Sequence, residues 1–460
     1  MHAITDPSIL EAYLRDASNL PGHAERLYRP STAEEVAEIV ALCQQEGTPL
    51  TVTARRSSTT GASVPMGGAL LSTEKLNRIL GIDEVEGGVL LGEYQSWTEE
   101  QGWIFPPDPT SRNECSIGGA LACNASGART YRYGPTRRWV ESIRFVTPTG
   151  ELKEADRSTP IPWPTTSWAE PPIKTAAGYF PANNLLDLMI GQEGTLGVIL
   201  SAKLRLRPLP AGVLTIFAYF PTEATTLAFL DAARALGGRY PDGGEPAPHA
   251  PRCIEYFDRR SLELIQARLP ELPQAHAAIL LEIEHDGEAP LEPWFDLLST
   301  HEALLDHTII AEDERGRAKL HAIRHALPAA VNEIISRNGV QKVGTDFAVP
   351  DSAFPEMLRA YDAVEMAAVC FGHLGNNHLH LNLLPKDSTE LLRAKAIYME
   401  LAKKAVSLGG TVSAEHGIGK LKRTHLALMV PPEVREGWAA MRKTADPKGI
   451  LGRGNLLEPS

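Results

Sequence analysis

The segment STAEEVAEIVALCQQEGTPLTVT, residues 31–53, holds the clearest helix and strand in the chain. Thr32 and Glu35 have the spacing of a capping box, and apolar residues recur at helical spacing after them. Gly47 is placed to end the helix, and residues 49–53 then have the character of a strand. The segment therefore predicts that helices pack on sheets in this chain.

The 150 or so residues after this segment are rich in glycine and break into short strands. Four runs of small residues stand out: SSTTGASVPMGG (57–68), PPDPTS (106–111), SIGGALACNASGA (116–128) and GQEGTLGV (191–198). Such runs allow backbone N–H groups to approach a phosphate or a flat ring, although any one of them alone is more typical of a tight turn. Four in one region favour a large nucleotide cofactor, while GxGxxG after a strand and GxxxxGK[ST] are both missing from the sequence.

The character of the chain changes near residue 210, after the junction PLPAG (208–212). Beyond it, apolar strands such as VLTIFAYF alternate with helical stretches. We therefore expect an α+β protein whose front half is rich in loops. With about 150 residues per domain as a guide, the length predicts two or three domains.

The sequence FGHLGNNHLHLN, residues 371–382, concentrates imidazoles in the back half, and Glu415 and His416 follow in the turn GGTVSAEHGIGK (409–420). Because side chains alternate along a strand, His378, His380 and Asn382 should share one face. Two imidazoles and one carboxylate can form an open site for Zn²⁺, Mn²⁺ or Fe²⁺. The spacing alone is equally compatible with a histidine cluster that binds no metal.

Charge and composition disfavour several classes of protein. The net charge of −12 disfavours binding to nucleic acid, which needs a basic surface. No apolar run reaches the roughly 18 to 20 residues that span a bilayer, and the N-terminal residues do not have the pattern of a signal peptide. The five scattered cysteines are typical of reduced thiols. We expect a cytoplasmic protein that is not an integral membrane protein.

Six motifs occur in an order that is typical of one family: PPDPTS, SIGGALACNASGARTYRYGPTRRWV, IKTAAGY, GQEGTLGVI, GHLGNNHLHLN and GGTVSAEHGIGK. In this order they resemble the FAD-linked D-2-hydroxy-acid dehydrogenases of the vanillyl-alcohol oxidase superfamily, a family that includes D-lactate dehydrogenase and the glycolate oxidase FAD subunit. The resemblance implies a loop-rich, two-part FAD-binding domain (1–210) and a cap domain with an antiparallel sheet and helices (211–412). It also implies a C-terminal segment (413–460) that packs back on the FAD domain.

The resemblance further implies roles for individual residues. His373, His380 and Glu415 correspond to metal ligands, and His416 corresponds to the general base. Asn382 corresponds to a polar residue on the substrate side, Arg324 to an arginine that binds the substrate carboxylate, and Lys342 to a second positive charge. The residues expected to contact the flavin or its pyrophosphate are Arg55, Arg56, Ser57, Ser58, Thr59, Thr60, Gly61, Pro107, Asp108, Ser116, Ile117, Gly118, Gly119, Asn124, Ser126, Gly127, Tyr133, Gly134, Glu193, Gly197 and Val198.

Two motifs depart from the family pattern. Asn376, Asn377 and His378 stand where the family has Asp-Gly-Asn, so His378 either competes as a metal ligand or stays beside the ligands, and we expect the second. Arg55 and Arg56 stand where the family has glycine in its pyrophosphate loop. A side chain is costly where φ must be positive, yet two guanidinium groups could pair with a pyrophosphate.

We expect the flavin to be bound without a covalent link. No histidine occurs between His23 and His249, so residues 24–210 of the predicted FAD domain offer no imidazole for a flavin bond. Cys115 and Cys123 are conceivable attachment points, but we expect them to pack as small apolar groups.

These observations predict an FAD-dependent dehydrogenase that oxidises a D-2-hydroxy acid to the 2-oxo acid. The metal would bind substrate oxygens, His416 would take the hydroxyl proton, and hydride would pass from C2 to flavin N5. The expected partners are a small anionic hydroxy acid and an electron acceptor, which is a quinone, an electron-transfer protein or an iron–sulfur subunit. The alternatives are an oxidase that uses oxygen and a non-catalytic subunit whose altered flavin loop no longer binds FAD.

Overall fold

The structure is a computed structural model that describes residues 2–238 and 249–458. Its helices are α1 (Pro7–Glu11), α2 (Ala33–Glu46), α3 (Leu91–Glu100), α4 (Ile117–Ala122), α5 (Thr130–Tyr133), α6 (Leu185–Met189), α7 (Glu223–Gly237), α8 (Arg259–Gln266), α9 (Leu291–Thr300), α10 (Glu314–Asn338), α11 (Phe354–Asp362), α12 (Ser388–Ser407), α13 (Arg423–Met429) and α14 (Pro432–Ala445). Within the described residues, no helix combines the length and the apolar character that crossing a bilayer requires.

The strands are β1 (Arg26–Tyr28), β2 (Leu50–Thr53), β3 (Ala69–Ser72), β4 (Glu84–Glu86), β5 (Trp103–Ile104), β6 (Val140–Val146), β7 (Leu152–Asp156), β8 (Val198–Leu204), β9 (Arg207–Pro208), β10 (Gly212–Phe220), β11 (Pro251–Asp258), β12 (Ala277–His285), β13 (Ile309–Ala311), β14 (Val343–Gly344), β15 (Phe347–Ala348), β16 (Ala368–His373) and β17 (His378–Leu383).

The segment at residues 31–53 folds as the sequence predicts. The Oγ1 atom of Thr32 accepts a hydrogen bond from the N–H of Glu35 at 3.2 Å, and this bond starts α2. The carboxylate of Glu35 binds the N–H of Ser31 at 2.6 Å, one residue before the usual capping-box partner. Gly47 ends α2 with a φ of 73°, and β2 follows.

Two small sheets carry most of the front half. The strands β1, β3 and β2 form a parallel sheet, and β4, β8, β6 and β7 form an antiparallel one. Between β7 and α6, residues 157–184 form neither helix nor strand, as the dense prolines of this stretch predict.

The back half contains one antiparallel sheet of eight strands. Its order is β13-β10-β12-β11-β16-β17-β14, and β15 also pairs with β17. Buried apolar side chains cover both faces, with Ile216 and Leu281 in one cluster and Phe217 and Leu280 in the other. The expected α+β fold, with an antiparallel sheet in the cap, is confirmed.

The C-terminal segment returns to the front half. The N–H of Leu50 donates to the carbonyl of Ile450 at 2.8 Å, and the side chain of Ile450 is buried in the same cluster as that of Val36. Trp438 of α14 lies edge-on to Tyr179, with ring centroids 5.5 Å apart. The segment is therefore part of the front core, while the domain limits at residues 210 and 412 stay predictions.

Candidate functional site

The histidine-rich motif folds as a hairpin of β16 and β17. His373 ends β16 and lies opposite His378, which begins β17. Leu379 and Leu381 are buried in the hydrophobic core, so His378 and His380 lie on the opposite face, as the two-residue period predicts.

The hairpin and the turn at Glu415 bring four metal-ligating side chains together. One ligand atom from each of His373, His378, His380 and Glu415 lies within 4.8 Å of the others. The Nε2 atom of His373 lies 3.1 Å from Glu415 Oε1, and that of His380 lies 3.9 Å from Glu415 Oε2. The structure thus brings together the three residues predicted as metal ligands and adds His378 to them.

Three carboxylates, one of them Glu415 itself, contact the imidazoles of this cluster, and each is paired with a cation. Glu415 pairs with Lys174, Asp346 with Lys422 at 2.7 Å, and Glu255 with Arg324 at 2.8 Å. A buried carboxylate stays ionised when it is paired in this way.

Three of the imidazoles have strongly shifted pKa values, and burial holds the pKa of His380 well below its usual range. Burial lowers the pKa of His373, but the carboxylates of Glu255 and Glu415 outweigh burial and raise it to about 9. Burial lowers the pKa of His378 to about 4, although Glu415 and Asp346 act in the opposite direction. Shifts of this size are typical of functional sites.

His416 lies beside the cluster and is held by Asp346. Its Nδ1 atom is 3.3 Å from Asp346 Oδ2, and its ring stacks on His380 with centroids 5.5 Å apart. Burial lowers the pKa of His416 below its usual value, against the opposing effect of Asp346. The imidazole is therefore neutral at pH 7, which a proton acceptor requires.

The loop predicted to bind the pyrophosphate contacts the turn that carries His416. The carbonyl of Thr60 accepts hydrogen bonds from the N–H groups of Lys420 at 3.0 Å and Leu421 at 3.1 Å. The hydroxyl of Thr60 donates to the carbonyl of His416 at 3.4 Å. Ser57, Thr59 and Gly61 lie in the same loop, where the hydroxyl of Ser58 accepts a hydrogen bond from the N–H of Thr60.

The two arginines of this loop are placed differently. Arg56 has a positive φ of 56°, and its guanidinium donates to Glu74 at 2.9 Å and lies over the ring of Tyr13. The Nε atom of Arg55 is buried and has no hydrogen-bond partner among the described residues. The structure therefore leaves Arg55 as the guanidinium available to an anion, whereas Arg56 is already paired.

Part of the predicted flavin site forms a tight cradle. A side chain at Gly127 would clash with the carbonyl of Asp108, and one at Gly118 would come within 3.0 Å of the carbonyl of Gly87. The carboxylate of Asp108 accepts a hydrogen bond from the N–H of Arg129 at 2.9 Å. The hydroxyl of Ser126 is buried without a partner in the described part of the chain, so it can serve a ligand.

Other residues that are predicted to line the flavin site determine the course of the backbone in the front half. Ser116 caps α4 by accepting a hydrogen bond from the N–H of Gly119 at 3.2 Å, and Ile117 is buried behind it. The carbonyl of Pro107 accepts a hydrogen bond from the side-chain amide of Gln95. Asn124 and Gly197 have positive φ angles of 47° and 155°. Gly134 follows α5, and Val198 begins β8.

Two residues that are predicted to contact the flavin have side chains that are hydrogen-bonded to other parts of the protein. The hydroxyl of Tyr133 donates to Glu284 on β12, so this side chain joins the front half to the cap sheet. The carboxylate of Glu193 accepts from the N–H groups of Ile418 at 2.8 Å and Gly419 at 2.6 Å. Glu193 therefore holds the C-terminal turn in place.

The residues predicted on the substrate side lie around the same hairpin. Arg324, on α10, donates through Nε and Nη2 to Glu255, whose other oxygen lies 2.6 Å from His373 Nδ1. Asn382 donates to the carbonyl of His380 at 3.0 Å. Lys342 is exposed and precedes β14, whose Gly344 lies opposite Asn382.

Sequence reasoning missed four residues of the site: Asp346, Glu255, Lys174 and Lys422. A usable signal existed for the first two, because each is a single acidic residue within an apolar, strand-like stretch, GTDFAVP and CIEYF. A charged residue in such a stretch is buried only when it is paired. Lys174 lies in the motif IKTAAGY but carries no pattern of its own.

Two family models and several known proteins match this chain. A family model described as "FAD binding domain" matches residues 24–156, and one described as "FAD linked oxidases, C-terminal domain" matches residues 247–456. A solved structure of alkyldihydroxyacetonephosphate synthase has a TM-score of 0.69 at 17% identity, covering 98% of this chain and 81% of that one. This last likeness concerns the fold alone.

Three curated relatives align over almost the whole chain. D-lactate dehydrogenase of Anaerostipes hadrus is 28% identical, covering 97% of this chain and 93% of its own length. Glycolate oxidase subunit GlcD of Bacillus subtilis is 27% identical, and the alignment covers 93% of this chain and 88% of the length of GlcD. Mitochondrial D-2-hydroxyglutarate dehydrogenase of Bos taurus is 30% identical, and the alignment covers 99% of this chain and 81% of the length of that enzyme.

Proposed function

The chain belongs to the FAD-linked D-2-hydroxy-acid dehydrogenase family and is an FAD-dependent oxidoreductase of hydroxy acids, and we propose that a divalent metal assists it. We further propose that the substrate is D-lactate, glycolate or a similar small 2-hydroxy acid, as the names of the relatives suggest. Because its relatives are enzymes, the comparisons favour an oxidoreductase over the non-catalytic subunit that the altered flavin loop suggested.

One observation carries the proposal: the loop expected to hold the flavin pyrophosphate is hydrogen-bonded to the turn that carries Glu415 and His416. The contacts of Thr60 with the backbone of residues 416, 420 and 421 join the two. A flavin in the front half would therefore face the imidazole cluster of the cap.

The residues of the front half fit FAD. The close backbone approach at Gly127 leaves no room for a side chain, and the hydroxyl of Ser126 and the Nε of Arg55 offer hydrogen-bonding groups that no described residue uses. FAD, when bound, supplies the acceptor for the hydride that leaves C2 of the substrate.

The residues of the cap fit a divalent metal. His373 and His380 each present a ring nitrogen to Glu415, and their other ring nitrogens lie near Glu255 and the carbonyl of Thr345. Outer acceptors of this kind are typical of metal-binding histidines. A divalent metal, when bound, would polarise the hydroxyl and carboxylate oxygens of the substrate.

His416 is the residue that we propose as the base. The carboxylate oxygen Oδ2 of Asp346 lies 3.3 Å from its Nδ1 and favours a proton on that nitrogen, which leaves Nε2 with a lone pair for the hydroxyl proton of the substrate. As the C2–H bond breaks and hydride leaves, the hydroxyl O–H bond breaks and the proton moves to His416. The carbon and oxygen are then joined by the double bond of the 2-oxo acid.

Turnover and metal content test this function together. The purified protein should oxidise at least one of D-lactate, glycolate and D-2-hydroxyglutarate with an artificial dye as acceptor, and should hold about one Zn, Mn or Fe per chain. His380→Ala should lose the metal and the turnover but keep FAD, whereas the exposed control His307→Ala should keep all three. Equal metal content in wild type and His380→Ala would contradict the metal role.

We also propose that FAD is bound without a covalent link, because the front half has no histidine between His23 and His249. Acid precipitation should then release the yellow chromophore into the supernatant. Colour that stays with the pellet would overturn this proposal.

A further inference from the structure

His378 is the most completely enclosed member of the imidazole cluster. Its side chain is fully buried, and its Nδ1 atom has no hydrogen-bond partner in residues 2–238 and 249–458. That nitrogen lies 3.8 Å from Glu415 Oε1, the oxygen that also faces His373. A buried nitrogen of this kind requires a partner that the protein itself does not provide.

The contacts of His378 decide which of its nitrogens carries the proton. The Nε2 atom lies 3.0 Å from Asp346 Oδ1, while Lys422 and the hydroxyl of Ser413 donate to the other carboxylate oxygen at 2.7 and 2.8 Å. The Nε2 and Oδ1 atoms are not aligned for a hydrogen bond, but a carboxylate only accepts, so its proximity favours the proton on Nε2 of a neutral His378. The lone pair of Nδ1 then points into the cluster.

His373 and His380 are arranged in the same way. The outer nitrogen of His373, Nδ1, lies 2.6 Å from Glu255, and that of His380, Nδ1, lies 2.8 Å from the carbonyl of Thr345. All three rings therefore have an acceptor near the outer nitrogen and turn the other nitrogen toward Glu415. A histidine that only braced the turn would have no reason to share this arrangement.

We propose that His378 is a third imidazole ligand, so that this chain holds its metal through three imidazoles and one carboxylate. This replaces the expectation that His378 stays beside the ligands, and it rests on the proposed metal-assisted function. A nitrogen-rich set of this kind favours Zn²⁺ or Fe²⁺ over Mn²⁺, which prefers oxygen ligands. A metal held by these four residues would have to expand its coordination number beyond four to bind substrate oxygens.

The test counts the imidazoles bound to zinc. The full-length protein with FAD bound is loaded with Zn²⁺, and X-ray absorption at the zinc edge is compared between wild type and His378→Asn, which restores the asparagine of the family pattern. The affinity for Zn²⁺ is measured by competition with a chromophoric chelator, with His307→Asn as an exposed control. We expect three imidazoles in wild type, two in His378→Asn, and a loss of affinity of at least about tenfold.

The imidazole count decides the proposal even if His378→Asn folds poorly, because the wild-type spectrum alone distinguishes three imidazoles from two. Two imidazoles in wild type would overturn the role of His378 and leave a metal bound by His373, His380 and Glu415. A wild-type protein that binds no Zn²⁺ would overturn both this proposal and the metal-assisted function. A weaker affinity with two imidazoles in both proteins would make His378 a positioning residue only.

Discussion

Asp346 holds the proposed base through several contacts at once. It accepts hydrogen bonds from the backbone N–H groups of Glu415 and His416, each at 3.1 Å, and it faces Nδ1 of His416. One carboxylate therefore fixes both the turn and the imidazole. The side chain that the chemistry needs is oriented by a residue about 70 positions away in the sequence.

The imidazole of His416 should dominate catalysis without holding the cofactors. We expect His416→Asn to lower kcat by about 10²-fold or more while FAD stays bound, since this is the usual scale for loss of a general base. Because burial lowers the pKa of His416, wild-type kcat/KM should stay level at neutral pH and fall only at pH values below the usual range of histidine. Full kcat in His416→Asn would assign the base to another group.

The two arginines of the pyrophosphate loop should behave differently. Arg55→Ala should weaken FAD binding, because its Nε is buried without a partner, and a charged hydrogen bond contributes about 1.5–3 kcal/mol. Arg56→Ala should instead lower the Tm, because it removes the pair with Glu74 and the contact with Tyr13. Fluorescence titration with FAD measures the effect of Arg55→Ala, and thermal melts measure the effect of Arg56→Ala. Equal FAD affinity in Arg55→Ala and wild type would refute the role of Arg55 in FAD binding.

Arg324 is a candidate for the substrate carboxylate even though it already pairs with Glu255. We expect Arg324→Ala to raise KM by about tenfold or more, since loss of a charged hydrogen bond has this effect. Arg317→Ala, on the same helix, is the matched control, because Arg317 donates only to backbone carbonyls. If Arg324→Ala has an unchanged KM and a lowered Tm, the role of Arg324 is only to pair with Glu255 and stabilise the fold.

At the scale of elements, the β16–β17 hairpin depends on one residue in a left-handed conformation. Asn377 has a φ of 53° where the family has glycine, and its amide donates to the carbonyl of Val349 at 3.0 Å. Asparagine tolerates this conformation better than other side chains do. The loop therefore keeps its shape without glycine.

Substitution of Asn377 tests this account of the hairpin. Asn377→Ala should destabilise the protein by about 1–3 kcal/mol, because alanine is strained at positive φ and the amide contacts are lost. Asn377→Gly should be less destabilising, since it relieves the strain and loses only the contacts. Chemical denaturation of both variants measures the difference, and an alanine variant as stable as the glycine variant would rule out backbone strain.

Local patterns in the sequence predicted the local elements correctly. The cap and end of α2 and the alternating faces of β17 follow from residues within a few positions of each other. The order of the cap sheet did not follow, because β11 pairs with β16 across more than 100 residues. The apolar stretches around Asp346 and Glu255 could have marked these residues as buried and paired, but their partners lie in distant segments, and only packing brings them together.

At the scale of the whole molecule, the C-terminal segment connects the front half to the cap. Lys420 donates to the carbonyl of Gly61 at 3.1 Å and to Asn455 at 2.7 Å, while Glu193 holds the backbone of residues 418 and 419. The same segment carries Glu415 and His416. A single stretch of chain therefore sets the position of the proposed base relative to the loop expected to hold the flavin.

The most direct test of the central claim is reduction of the bound flavin by the substrate without any acceptor. The purified yellow protein is mixed anaerobically with D-lactate, L-lactate, glycolate or D-2-hydroxyglutarate, and the visible flavin absorbance is followed. We predict that at least one D-2-hydroxy acid or glycolate bleaches the flavin rapidly, that L-lactate does not, and that His416→Asn slows the bleaching by about 10²-fold. A flavin that stays oxidised with every one of these acids would contradict the account.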